Sequence, residues 1–184
     1  MHTPTKEVWL TFDDGPDPKT TPWILDLLKK HEIQASFFLI GREIKKYPNI
    51  IDRIKKENHV IGNHTHTHIN GWFNSTSKYI EDVNQCQKFI PKNNLFRPPY
   101  GKITPWQIQH LKKDYKLILW DILAYDFKKN IKSKKVKNNI LNNISKGSII
   151  TLHNNKGSLP ILQEILEDII IEIKKLGFSF SNTW

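Results

Sequence analysis

Short apolar runs recur along the chain, and between them apolar positions fall three and four residues apart. This alternation of strand-like and helix-like periodicity predicts a succession of βα units. The first run, Val8 to Phe12, is rich in β-branched and aromatic residues. It ends on the adjacent carboxylates Asp13 and Asp14, after which Gly15-Pro16 turns the chain. Six further runs complete seven predicted strands: Ala35–Ile40, His59–Asn63, Leu95–Arg97, Leu117–Trp120, Ser148–Leu152 and Phe178–Phe180.

The intervening segments read as helices. Thr21-Pro22 predicts a cap with proline at the first helical position, followed by the stripe Trp23, Ile24, Leu27 and Leu28. A short helical turn is expected over Gly41–Tyr47, then a helix from Pro48 carrying Ile50, Ile51 and Ile54. Others are expected over Ser75–Ile90, from a Thr104-Pro105 cap to Leu111, and from about Lys132 to Ile144 with Gly147 closing it. The longest spans Leu159–Leu176 and stops at Gly177. Strands and helices alternating through short connections imply a parallel α/β sheet. With so many units in 184 residues, one domain built as a small, incomplete β/α barrel is expected ahead of an open doubly wound sheet. No Gly-x-Gly-x-x-Gly turn follows the first strand, which weighs against dinucleotide binding.

Composition changes this picture little. A hydrophobic content of 38% with 25% charged residues is ordinary for a globular domain. The formal charge of +10 comes from scattered lysines, densest at Lys128-Lys129 and from Lys132 to Lys137. Without clustered exposed aromatics, this reads as a chain-wide bias toward Lys, Asn and Ile. No nucleic-acid partner is expected, and only a modest attraction toward anionic polymers remains. The single cysteine, Cys86, excludes an internal disulfide, and its polar helical setting argues against a nucleophile. No run is long enough to span a membrane. Met1–Lys6 lacks the apolar core of a secretion signal, and localisation is not read from the chain. A monomer is expected.

Candidate chemistry gathers at the ends of the predicted strands. His64-Thr65-His66-Thr67-His68 follows the third. On a helix His64 and His68 would share a face, whereas in an extended segment His66 would join them. Two histidines, a carboxylate from Asp13 or Asp14, and a position left to water make the ligand set of a catalytic zinc. Arg97, before Pro98-Pro99-Tyr100, can grip a carboxylate and keep it ionised. Backbone N–H groups beyond the prolines can serve an oxyanion. Trp120-Asp121 and Tyr125-Asp126-Phe127 follow the fifth strand, with Trp120 expected in the core, and His153 follows the sixth. In β/α barrels that face of the sheet carries the catalytic groups.

The set Thr11–Pro16, His64-Thr65-x-x-His68, Arg97-Pro98-Pro99-Tyr100, the acidic segment Trp120–Phe127 and Leu152-His153 resembles the polysaccharide deacetylases. These are the NodB-homology domains of carbohydrate esterase family 4, and the motifs stand in that family's order from Val8 to about Phe180. The resemblance implies a deformed (β/α)7 barrel that removes acetyl groups from N-acetylated sugars with a bound divalent metal. It implies Asp14, His64 and His68 as metal ligands, with zinc favoured and cobalt or nickel as alternatives. It implies Asp13 as general base, Arg97 as its tether, His153 as general acid and Asp126 as the partner orienting it, with Asp121 as fallback. Tyr100, through its backbone N–H, Leu152 and Phe127 are implied at the substrate and oxyanion pocket. The expected substrate is a glycan containing N-acetylglucosamine, of peptidoglycan or chitin type. An acetyl-xylan esterase, a small-molecule amidase and a binding module that has lost catalysis are the competing readings. The chain departs from the family pattern at Leu123, Phe127, Thr151 and Asn154, which puts the substrate pocket in question more than the metal ligands.

Overall fold

The structure is a computed structural model in which residues 6–91 and 93–184 are described. The absent signal expected at the amino end falls mostly on residues 1–5, outside that range. The described residues form eight strands interspersed with seven α-helices. Seven strands form one continuous parallel path, β5-β4-β3-β2-β1-β7-β6. The path runs through β5 (Lys116–Leu117), β4 (Leu95–Phe96), β3 (Val60–Asn63), β2 (Ser36–Leu39), β1 (Glu7–Asp13), β7 (Ile149–His153) and β6 (Ile122–Leu123). A last strand, β8 (Ser179–Phe180), pairs with the beginning of β1. The sheet curls into a half-barrel of the deformed (β/α)7 kind, with β1 in its interior between β2 and β7. Among the described residues no helix is long and apolar enough to cross a membrane.

Alternation along β1 separates the two sides of this sheet. Val8, Leu10 and Phe12 join the large outer core that the helices cover. The helices contributing most are α1 (Thr20–Lys30) and α7 (Leu159–Lys175). Trp9, Thr11 and Asp13 face the barrel interior. At its lower end the Trp184 ring lies 6.0 Å from Trp9 and 6.1 Å from Phe38, and its indole N–H donates to Ser36 Oγ. Gly62 of β3 makes room for Phe38, because a Cβ there would come within 2.5 Å of the phenyl ring.

Arg97, fully buried just past β4, occupies the middle of the barrel. Its guanidinium lies 4.0 Å from the Phe38 ring centroid. Nε donates to Ile118 O at 3.2 Å and Nη2 to Leu119 O at 3.0 Å. These carbonyls belong to the segment between β5 and β6, so one side chain ties β4 to the open side of the sheet.

Several local expectations are corrected. The apolar run Leu117–Trp120 is not one strand. Two two-residue strands, β5 and β6, flank a segment whose carbonyls are taken by Arg97. Thr21 does not cap α1: Asp17 Oδ1 accepts from the N–H groups of Lys19 and Thr20, while Thr21 lies within the helix and donates its hydroxyl to Asn154. Gly147 does not close the basic helix, α6 (Ser133–Leu141), which ends at Asn142; it turns the chain into β7 at φ 86°. The expected helix over Ser75–Ile90 is α4 (Thr76–Gln87), capped by Ser75.

Candidate active site

The catalytic candidates meet in a cleft of about 260 Å³ at the carboxyl ends of the strands. Asp13, Asp14, His64, His68, Tyr100, Trp120, Leu123, Phe127 and His153 line it.

Asp13 and Asp14 are neighbours that face different partners, and the backbone explains why. Asp13 is the last residue of β1 and continues the inward face of Trp9 and Thr11. Asp14 has φ 78°, a left-handed conformation that Asp tolerates better than most residues. The change of hand takes its carboxylate off the strand's alternation and toward the histidines. Gly15 follows in a cis peptide with Pro16, pressed so closely on Asn154 that a Cβ would lie 2.2 Å from that amide nitrogen.

His64 and His68 converge through neither a helix nor an extended strand. Thr65 and His68 both have positive φ, so the segment coils as an irregular loop. Asp82 of α4 organises it: one carboxylate oxygen accepts from the N–H groups of His66 (2.6 Å) and Thr67 (2.9 Å), the other from the Thr67 hydroxyl (2.8 Å). His66 is thereby turned away and stacks on Phe89, with ring centroids 5.7 Å apart.

Asp14, His64 and His68 form a group that could hold a metal ion, their ligand atoms all lying within 4.8 Å of one another. Asp14 Oδ1 lies 3.7 Å from His64 Nε2 and 3.2 Å from His68 Nε2. Two donors each about 2.1 Å from one ion sit at such separations. The outer atoms of all three are occupied. His64 Nδ1 donates to Arg97 O at 2.7 Å, His68 Nδ1 pairs with the Tyr100 hydroxyl at 3.0 Å, and Asp14 Oδ2 accepts from Asn155 Nδ2 at 2.9 Å. Such second partners fix the ligand orientation and aim the Nε2 atoms inward. Burial keeps His64 neutral, its pKa lowered to about 4 against the opposing pull of Asp13 and Asp14. Burial also works against ionisation of Asp14, but its hydrogen bond to His68 and the neighbouring imidazoles outweigh it. Its carboxyl is held well below the usual range. The donor set therefore fits a borderline divalent ion such as zinc.

Across the cleft, Asp13 Oδ1 receives Arg97 Nη1 at 2.6 Å in a pair shielded almost completely from water. The same nitrogen donates to Thr11 Oγ1 at 2.8 Å. Thr11 in turn donates to Ile150 O and contacts Thr151 Oγ1 at 3.0 Å, making a polar layer beneath the carboxylate. On the other wall, Asp126 holds His153 twice. One oxygen pairs with Nδ1 at 2.9 Å and the other accepts from the His153 backbone N–H at 2.8 Å. Burial opposes a charge on His153, yet the Asp126 hydrogen bond and charge, helped by Asp14 and Asp13, lift its pKa to about 9.

Nine of the ten residues assigned from the sequence sit at or directly against this cleft. Leu152 does not. As an even-numbered residue of β7 it is fully buried in the outer core, while Thr151 and His153 face inward. Asp121 is not a partner of His153, since its Oδ2 accepts from the Ile149 N–H at the opposite end of β7. Trp120 lines the cleft rather than joining the core. The apolar wall comes from Trp120, Leu123 and Phe127, the last with its ring 4.6 Å from His153. Asn155 lies outside every motif, and the Arg97–Tyr100 motif points to the Tyr100 backbone rather than to the hydroxyl that holds His68. Cys86 is buried under Leu39 O, and burial pushes its thiol up to about 12, which removes it as a nucleophile.

A parallel half-barrel with an Asp-His-His group, a tethered carboxylate and an Asp-held histidine at the carboxyl ends of its strands is the architecture of a hydrolytic α/β domain. The polysaccharide deacetylase family model matches residues 1–115, and the chain belongs to that family. It is 39% identical over 183 residues to a peptidoglycan-N-acetylglucosamine deacetylase of Bacillus cereus, covering 95% of this chain and 66% of the relative. It is 30% identical over 190 residues to the peptidoglycan-N-acetylmuramic acid deacetylase PdaA of Bacillus subtilis, covering 98% of this chain and 71% of the relative. The structure of the Bc1960 peptidoglycan N-acetylglucosamine deacetylase, in complex with 4-naphthalen-1-yl-N-oxidanyl-benzamide, superposes with a TM-score of 0.91 at 35% identity. That match covers 97% of this chain and 86% of the other. The chain spans just under two thirds of the length of the first of these relatives.

Proposed function

We propose that this domain is a divalent-metal-dependent N-deacetylase of a glycan containing N-acetylglucosamine, of peptidoglycan or chitin type. The observation that carries the reading is the division of labour between Asp13 and Asp14. One carboxylate is committed to Arg97 and the other to His64 and His68, with His153 facing both across a cleft of about 260 Å³. The names of the relatives agree with it.

Asp14, His64 and His68 would hold the ion, with zinc preferred and cobalt or nickel able to replace it. When bound, it supplies Lewis acidity that polarises the acetamide carbonyl and lowers the pKa of a water toward neutrality. Asp13, ionised beside Arg97, takes the proton of the water that attacks the carbonyl carbon. The Tyr100 backbone N–H faces the developing oxyanion. An amine leaves poorly unless protonated, so His153, kept protonated by Asp126, delivers a proton to the nitrogen as the C–N bond breaks. Acetate and a free amino sugar result. Trp120, Leu123 and Phe127 wall the acetyl methyl and exclude water.

The test is acetate release from N-acetylglucosamine oligomers and peptidoglycan strands by protein loaded in turn with zinc, cobalt and nickel. Asp13→Asn should retain the metal and lose turnover by about 100- to 10,000-fold. Asp14→Ala should lose the metal itself. Equal metal loss in both variants would disprove the division of labour, and no acetate from any glycan with any of the three metals would end the reading.

A further inference from the structure

The lysines that read as compositional bias in the sequence converge in the fold. A second depression, of about 600 Å³, opens beside the catalytic cleft and is lined by Tyr125, Lys128, Lys129, Lys132, Lys135 and their neighbours. Among the described residues no acidic one lines it. Among the described residues Lys137, just beyond it, pairs with Asp168 at 2.9 Å, whereas the four cleft lysines have no acid within 4.0 Å. Like charges gathered without counter-charges create a local positive potential, which an anionic ligand relieves.

The lysines follow a pair of tight turns. Tyr125 and Asn130 both turn at positive φ, and Lys128 N–H donates to Tyr125 O at 3.0 Å. Lys128 Nζ is held over the Tyr125 ring, 4.1 Å from its centroid. Helix α6 begins at this cleft with no acid in its first turn and no side-chain cap, so its positive end adds to the field.

Two ring contacts link the wall of the depression to the wall of the catalytic cleft. Tyr125 lies 6.2 Å from Phe127, and Phe127 lies 4.6 Å from His153. A linear glycan with one sugar at His153 can therefore lay its neighbouring sugars along these rings and onto the lysines. We propose that the lysine cleft is a subsite for carboxylate groups carried by the same strand on which the catalytic cleft acts. It selects an anionic glycan, the chemistry of a peptidoglycan strand, over a neutral chitin-like one. This rests on the deacetylase reading for its catalytic part.

The experiment compares a carboxylate-bearing peptidoglycan strand with the same strand after its carboxylates are amidated. Substrates are given to the zinc-loaded full chain, and kcat/KM is measured for each. The wild-type protein should prefer the charged strand by about tenfold at low salt, through KM, with the preference falling at high salt. The triple variant Lys128→Gln, Lys132→Gln, Lys135→Gln should bring the ratio close to one. A wild-type ratio near one, or a ratio that survives the triple substitution, overturns the proposal. Co-sedimentation of Asp13→Asn protein with the charged strand, with and without the three lysine substitutions, separates this from the catalytic reading. If no substrate released acetate, binding lost on lysine substitution would still uphold the subsite, and absent or unaltered binding would refute it.

Discussion

Replacing Arg97 with methionine should be among the most damaging single changes in the protein. The substitution keeps an unbranched stem in the barrel and removes only the guanidinium. Four acceptors then lose a donor: Asp13 Oδ1, Thr11 Oγ1, Ile118 O and Leu119 O. Leaving a buried carboxylate without its cation costs about 3–5 kcal/mol. Loss of the cation–π contact with Phe38 adds up to about 1 kcal/mol. We expect destabilisation of about 4 kcal/mol, a large part of the 5–15 kcal/mol typical of whole domains. At about 2–4 °C per kcal/mol for a chain of this length, Tm should fall by about 12 °C. The measurement is thermal unfolding of metal-free protein, so that metal release does not contribute. The double variant Asp13→Asn, Arg97→Met should recover about 2 kcal/mol, because no buried charge is left alone. A drop below about 3 °C for Arg97→Met, or a double variant less stable than the single one, would refute the claim that an orphaned charge dominates.

Two further outcomes test the walls of the cleft. In metal-free protein the His153 ring should titrate by NMR near pH 9, and Asp126→Asn should move that midpoint to 6.5 or below. Because the folded pKa is raised, the stabilisation from this pair is complete below about pH 6.5 and is lost as the pH rises through about 9. A wild-type midpoint near 6.5 would contradict both statements. Tyr100→Phe keeps the backbone N–H but removes the hydroxyl that holds His68 Nδ1. Metal affinity measured by chelator competition should weaken about tenfold. Unchanged affinity would show that the hydroxyl does not orient the ligand.

Much of the site was legible because strand ends are conspicuous: an apolar run stops and a charged or imidazole residue follows. That pattern located Asp13, Asp14, His64, Arg97 and His153. It could not say how five residues of the His64–His68 loop are coiled. The organiser, Asp82, lies on a helix well beyond the loop and looks like any solvent-facing acid. The same limit hid Asn155, whose amide holds Asp14. Leu152 is a different kind of miss. Period-two alternation along β7 already places it opposite His153, and the motif's adjacency outweighed that geometry. Leu117–Trp120 has the composition of a strand, but its carbonyls satisfy a buried arginine, which no local propensity encodes. The lysine run shows the converse: residues unremarkable in sequence share one depression only because the Tyr125–Asn130 turns fold them together.

The place of β1 between β2 and β7 has a consequence for how the protein is made. Its neighbour on one side, β2, follows within a few tens of residues, but β7 on the other side does not. Thr11 meets Thr151 across a separation of 140 residues. During synthesis β1 must wait with one apolar edge open until most of the chain has emerged, and such non-local pairing is slow to form. Asp13 and Asp14 stand at the end of this strand, and His153 stands at the end of the late-arriving β7 that pairs alongside it. No early folding intermediate can therefore hold a complete site, and acquisition of catalytic competence should report completion of the fold itself.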